Sequence, residues 1–154
     1  MTSDTNQKVV VPGPNGTQII FEHPTYEGEI FSAAYILKHE KHISTLERKS
    51  YEGFDAADAQ DRFRDKRGGK LWSLDGSYII LVTWRKDEDS NQWDLKHEYI
   101  AAYSTTTGKV VTFKSATNSL GNGTFIRWSP TKPDVVIIRG NNGNEEEAHP
   151  VIDK

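Results

Sequence analysis

The chain has 154 residues, with 19 Lys and Arg against 22 Asp and Glu for a net charge of −3, and it has no cysteine. That length suits one domain able to bury roughly two-thirds of its chain surface, and interleaved charges leave no basic field for a phosphate backbone, so nucleic acid is not an expected partner. Without thiols there is no disulfide and no thiolate metal site, and no apolar run approaches the ~20 residues that cross a bilayer, so a membrane is not expected either.

Residues 1–7 lack the charged start and apolar stretch of a signal peptide and read as a flexible N-terminus. A cytoplasmic address is the expectation; a periplasmic or secreted protein that has shed a leader would suit the missing cysteines equally well. Residues 8–140 read as a single β domain. Its first unit, residues 8–50, opens on Lys8-Val9-Val10-Val11, turns through Pro12-Gly13-Pro14-Asn15-Gly16 and resumes as Gln18-Ile19-Ile20-Phe21. Asn-Gly between β-branched runs marks a hairpin, because both residues tolerate the positive φ of a tight turn. Strands over residues 30–37 and 43–46, joined by Lys38-His39-Glu40-Lys41-His42, complete a four-stranded meander.

Residues 55–67 break the alternation and read as a short inserted helix. Asp55 can cap it, Ala56, Ala57 and Ala59 favour it, Asp58 and Arg62 sit at i and i+4, and Gly68-Gly69 can stop it. Its apolar face is only Ala59 and Phe63, which predicts light docking on the surface. The second unit, residues 70–114, repeats the meander with strands at 70–73, 78–84, 98–103 and 109–113. Paired alanines stand at matching places in the two units, Ala33-Ala34 and Ala101-Ala102, and suggest a close approach of sheets. The third unit, residues 122–140, offers two strands, 124–128 and 134–139. Residues 141–154, with Asn141-Asn142-Gly143-Asn144-Glu145-Glu146-Glu147, read as a mobile polar tail.

One phrase recurs along this chain. Pro14-Asn15-Gly16-Thr17-Gln18-Ile19-Ile20-Phe21 returns as Leu74-Asp75-Gly76-Ser77-Tyr78-Ile79-Ile80-Leu81, and Trp72-Ser73 returns as Trp128-Ser129. Self-similarity at this period marks stacked units, each of which has an apolar face that only a neighbour can cover. Trp72-Ser73-Leu74-Asp75-Gly76 and Trp128-Ser129-Pro130, each followed by an apolar strand, together with the turn Thr107-Gly108-Lys109, resemble the blades of WD-type β-propellers. The variety is that of TolB and of the propeller domains of prolyl-oligopeptidase-like enzymes. The resemblance covers residues 70–140 well and 8–50 loosely, and implies an all-β fold of antiparallel four-stranded meanders. It implies no particular activity, because propellers host unrelated roles. A propeller closes with four or more blades, whereas this chain supplies two and a half. Open sheets that pack on each other, a homo-oligomer that completes a ring, and a fragment of a longer propeller are the readings this leaves.

For a site, the long loop over residues 85–96 is the foremost candidate. Trp93 stands there among charges as an interface anchor or sugar-stacking platform, with Asp89, Asn91, Asp94 and the neighbouring Trp84 as polar and aromatic company. Trp72 and Trp128, at matched repeat positions, read instead as packing residues. Asp87, Asp89, Asn91 and Glu98 imitate the oxygen spacing of a calcium loop, but Gln92 occupies the place that needs Gly. His39 and His42, near Glu47, could contribute to a zinc site, but Lys38 and Lys41 in the same turn would repel the cation. No metal and no cofactor are therefore expected.

No nucleophile elbow, phosphate loop or dinucleotide fingerprint occurs, and no His has a recognisable nucleophile partner, so catalysis is not expected. The expected function is non-catalytic binding of another protein by loops at one end of the sheets, as an inhibitor or immunity-type protein that neutralises a partner enzyme. A carbohydrate-binding module whose loop aromatics stack on a glycan is the alternative. A hydrolase of unrecognised type is the third reading.

Overall fold

The computed structural model describes residues 8–25, 30–48, 52–64, 70–86, 93–116, 125–139 and 143–151, with the backbone alone described at 86, 93–99 and 125. It is mostly β and antiparallel, with one α-helix among the described residues. Strand β1 (Lys8–Pro12) pairs with β2 (Thr17–Pro24), placing Val10 opposite Ile20. The turn between them is a short 3-10 segment with Asn15 and Gly16 at φ 57° and 77°, the left-handed region these two residues enter at least cost. Strand β3 (Ile30–Lys38) lies along β2, and β4 (Lys41–Thr45) returns on β3 through a turn in which His39 and Glu40 both have positive φ.

The expected separate meanders are fused. Strand β5 (Glu52–Asp55) pairs on one side with Ile30 and Phe31 of β3 and on the other with β6 (Tyr78–Lys86). This is possible because β4 covers only the Tyr35 to Lys38 end of a nine-residue strand and leaves the other end open. With β7 (Trp93–Ser104) and β8 (Val110–Val111), one eight-stranded sheet results, in the order β1-β2-β3-β5-β6-β7-β8 with β4 beside β3. The expected strand at 70–73 is reduced to a single bridge between Trp72 and Ile79, reinforced by backbone hydrogen bonds from Ser73 to Tyr78 and from Ile80 to Leu71.

The expected strand at 109–113 is divided. Val110 and Val111 pair with β7, whereas β9 (Phe113–Lys114) joins a second sheet with β10 (Phe125–Trp128), β11 (Val136–Arg139) and β12 (Glu145–Pro150), ordered β10-β11-β12-β9. Strand β12 replaces the expected mobile tail over 145–150. Alternation explains it: Ala148 is fully buried, whereas Glu145 and Glu147 face outward and find cations on neighbouring elements, Arg127 and Arg139 for the first and Lys132 for the second.

Helix α1 (Ala56–Phe63) begins at Asp55, whose side chain accepts the backbone N–H of Asp58 at 2.9 Å. Asp58 and Arg62 pair at 2.8 Å, as their spacing predicts, but the pair is buried together with Ala56 and Ala59. Phe63 shares the stripe of the two alanines yet closes the helix, so it overhangs the core and remains 45% exposed.

Two cores result. In the first, Val11, Ile19, Phe21 and Phe31 from one half of the large sheet meet Ile79, Leu81 and Tyr103 from the other, together with Leu71 from the segment before β6. In the second, Ile80, Ala102 and Phe113 meet Trp128, Val136 and Ile138. Strands β6 and β7 therefore have an apolar neighbour on each face, which is why Ile79-Ile80-Leu81 is a continuous apolar run and why adjacent Ala101 and Ala102 serve different cores. No helix among the described residues is long and apolar enough to cross a membrane.

Candidate functional site

The three recurring turns converge on one cleft of about 510 Å³. The first turn brings Gly13 and Pro14, the second residues 71–74, and the third residues 128–130; Phe63, Lys70 and Arg127 complete the wall. Each tryptophan is seated on the turn before it. The Trp72 indole N–H donates to the Pro12 carbonyl at 3.1 Å, and that of Trp128 donates to the Leu71 carbonyl at 3.0 Å. Gly13 allows the first contact, since a Cβ there would meet the Trp72 ring.

The turns themselves are held by hydroxyl and carboxylate bonds that follow from the repeated sequence. In the second, Ser73 Oγ accepts the Tyr78 N–H and Asp75 accepts the Ser77 N–H, both at 3.0 Å. Loss of solvation alone would raise the Asp75 pKa, but the bonds from Ser77 and Ser73 outweigh it and hold the carboxyl below its ordinary range. In the third, Ser129 Oγ accepts the N–H groups of Thr131 and Lys132. Two of the turns that carry the cleft are thus tied by their own side chains.

The walls of the cleft are mainly apolar. Trp72 and Trp128 are largely buried and present only part of each indole, Trp128 being braced edge-on by Phe113 and stacked with Tyr78. Leu74 and Phe63 are 53% and 45% exposed, large side chains left facing solvent at the rim. Among the described residues that line the cleft none is acidic; the charges are Lys70 and Arg127.

The other candidates are placed as follows. Trp84 donates its indole N–H to the second oxygen of Asp55 at 2.8 Å, so its polar edge is committed to the helix cap. Trp93 and Asp94 lie on β7, not in a loop, paired with Lys86 and Arg85; β6 and β7 run on until only 87–92 connects them. The side chains of Trp93, Asp94 and Glu98 lie outside those described, as do residues Asp87, Asp89 and Asn91. His42 contacts Thr45 Oγ1 at 2.9 Å and stands near the Tyr35 ring. His39, at the turn before β4, donates its backbone N–H to the Gly16 carbonyl, and its ring stands where a Cβ on Gly16 would fall. No group of three or more His, Asp or Glu residues that could hold a metal ion occurs among the described residues.

The sequence singled out the turns and both tryptophans but assigned them to packing alone. Their joint cleft had no sequence signal beyond the repeat, because Phe63 comes from the helical insertion outside it. No protein-family model matches the chain, and neither the curated proteins nor the solved structures give a match.

Proposed function

We propose that this is a non-catalytic protein-binding module that seats an apolar side chain of its partner in the cleft between the three turns. One observation carries the reading: two half-exposed large hydrophobic residues, Leu74 and Phe63, flank a concavity built on buried indoles. Apolar anchors that enter preformed pockets supply most of the affinity in protein interfaces, whereas scattered exposed leucines supply none. A concave, aromatic-walled site with few polar groups suits capture of a side chain better than bond cleavage.

Selection of short peptides from a random display library against the purified protein tests it. Enriched peptides should bind the native protein, lose at least about tenfold in affinity to Leu74→Asp, and retain it for Trp93→Ala. Loss with Trp93→Ala and retention with Leu74→Asp would move recognition to the 85–96 hairpin. Failure to enrich any peptide would count against the reading.

A further inference from the structure

Charge at the mouth of the cleft narrows the ligand. The chain carries a net charge of −3, yet the described residues lining this cleft include two cations, Lys70 and Arg127, and no carboxylate. Of the nearby carboxylates, Asp134 in the third turn does not line the cleft, and Asp75 and Glu145 are already engaged. Asp75 is held by Ser77 and Ser73 within the second turn. Glu145 accepts from Arg127 at 3.0 Å and lies 3.5 Å from Arg139, so it answers two guanidinium groups. Arg127 keeps a third of its side chain exposed in that arrangement. Lys70 is exposed and has no carboxylate partner among the described residues.

We propose that the cleft selects a peptide segment in which an apolar anchor is flanked by carboxylates. This inference rests on the protein-binding reading above. An apolar side chain entering between Pro14, Trp72, Trp128 and Pro130 brings its flanking residues to the rim, where Lys70 and Arg127 stand. An acidic flank there meets the exposed Lys70 and the exposed third of Arg127, whereas a basic flank meets like charge. Rim charge of this kind sets specificity and association rate more than total affinity, so preference among flanks is the quantity to read.

Synthetic peptides with one central Leu-Trp pair, flanked on both sides by Glu, by Gln or by Lys, provide the probe. Glu-flanked peptides should bind about fivefold more tightly than their Gln-flanked counterparts, with Lys-flanked peptides weakest, and the preference should fade in about 0.5 M salt. Lys70→Glu should cancel or invert the preference, read as the ratio of Glu-flanked to Gln-flanked affinity. Thermal unfolding of the variant should match the native protein, since Lys70 is exposed. Equal binding of Glu and Gln peptides, or better binding of Lys peptides, overturns the acidic-flank proposal and leaves the protein-binding reading standing. Failure of all three sets overturns both.

Discussion

The indole N–H of Trp128 donates to the carbonyl oxygen of Leu71, and the next residue, Trp72, donates its own indole N–H to Pro12. Each tryptophan is docked on the turn before it in the chain, so the three turns form a linked series with a cleft between them. The rings also belong to the two cores, one apiece. Trp128→Ala should therefore cost ~3–5 kcal/mol of stability, whereas Trp128→Phe, which keeps most of the ring and loses the hydrogen bond, should cost ~1–2. Urea unfolding checks both; equal costs would mean that the hydrogen bond, not ring burial, dominates.

Gly108 and Gly143 make a controlled pair, because both have positive φ, 74° and 82°. An added Cβ at Gly108 would collide with the Thr45 carbonyl, the contact by which the β7–β8 turn closes on the end of β4, whereas at Gly143 it would meet nothing within 4 Å. Gly143→Ala should cost only the left-handed penalty of ~1 kcal/mol, and Gly108→Ala at least ~2 kcal/mol more. Melting temperatures of the two variants, measured side by side, separate the steric term from the conformational one.

Asp55 uses one carboxylate oxygen to cap helix α1 and the other to accept from Trp84. Asp55→Ala should cost ~2 kcal/mol through the lost cap and the unpaired indole, and Trp84→Phe less. A double-mutant cycle should show coupling between the two positions of ~0.5 kcal/mol or more. Additive costs would show that the indole contact contributes nothing.

Acid should loosen the second sheet. The bond from Arg127 to Glu145 and the bond from Lys132 to Glu147 each outweigh lost solvation and hold these carboxyls below the ordinary Glu value of about 4.5. A lowered folded pKa means that the unfolded chain binds protons first as pH falls, so the contribution is full above about 4.5 and is lost on descent through the lower folded values. Amide exchange in β11 and β12 should speed up in that window, and Glu145→Gln should blunt the change. Both groups are exposed, so the effect is small and should shrink further in salt.

The sequence by itself determined the local structure wherever a side chain acts on its own backbone. Asn15-Gly16 specified a left-handed turn, Asp55 a helix start, and the spacing of Asp58 and Arg62 an ion pair, because each of these is decided within about four residues. The hydroxyls of Ser73 and Ser129, each beside a tryptophan, likewise accept backbone N–H groups of their own turns. Strand partners across longer distances were not decided locally. β5, the short run Glu52-Gly53-Phe54-Asp55, carries no alternation of its own and is a strand because β3 and β6 each leave an edge for it. Glu145-Glu146-Glu147 looks like a solvated tail until β11 supplies pairing and Arg127, Arg139 and Lys132 supply cations. The candidate site belongs to the same class. Pro14, Phe63, Trp72 and Trp128 span more than a hundred positions, and only the folding of the large sheet over its own core, with the second sheet laid against it, brings them to one cleft. Burial of apolar faces is non-directional and acts between whatever the tertiary fold makes neighbours, so it leaves no mark in the local sequence at the place where it creates a cavity.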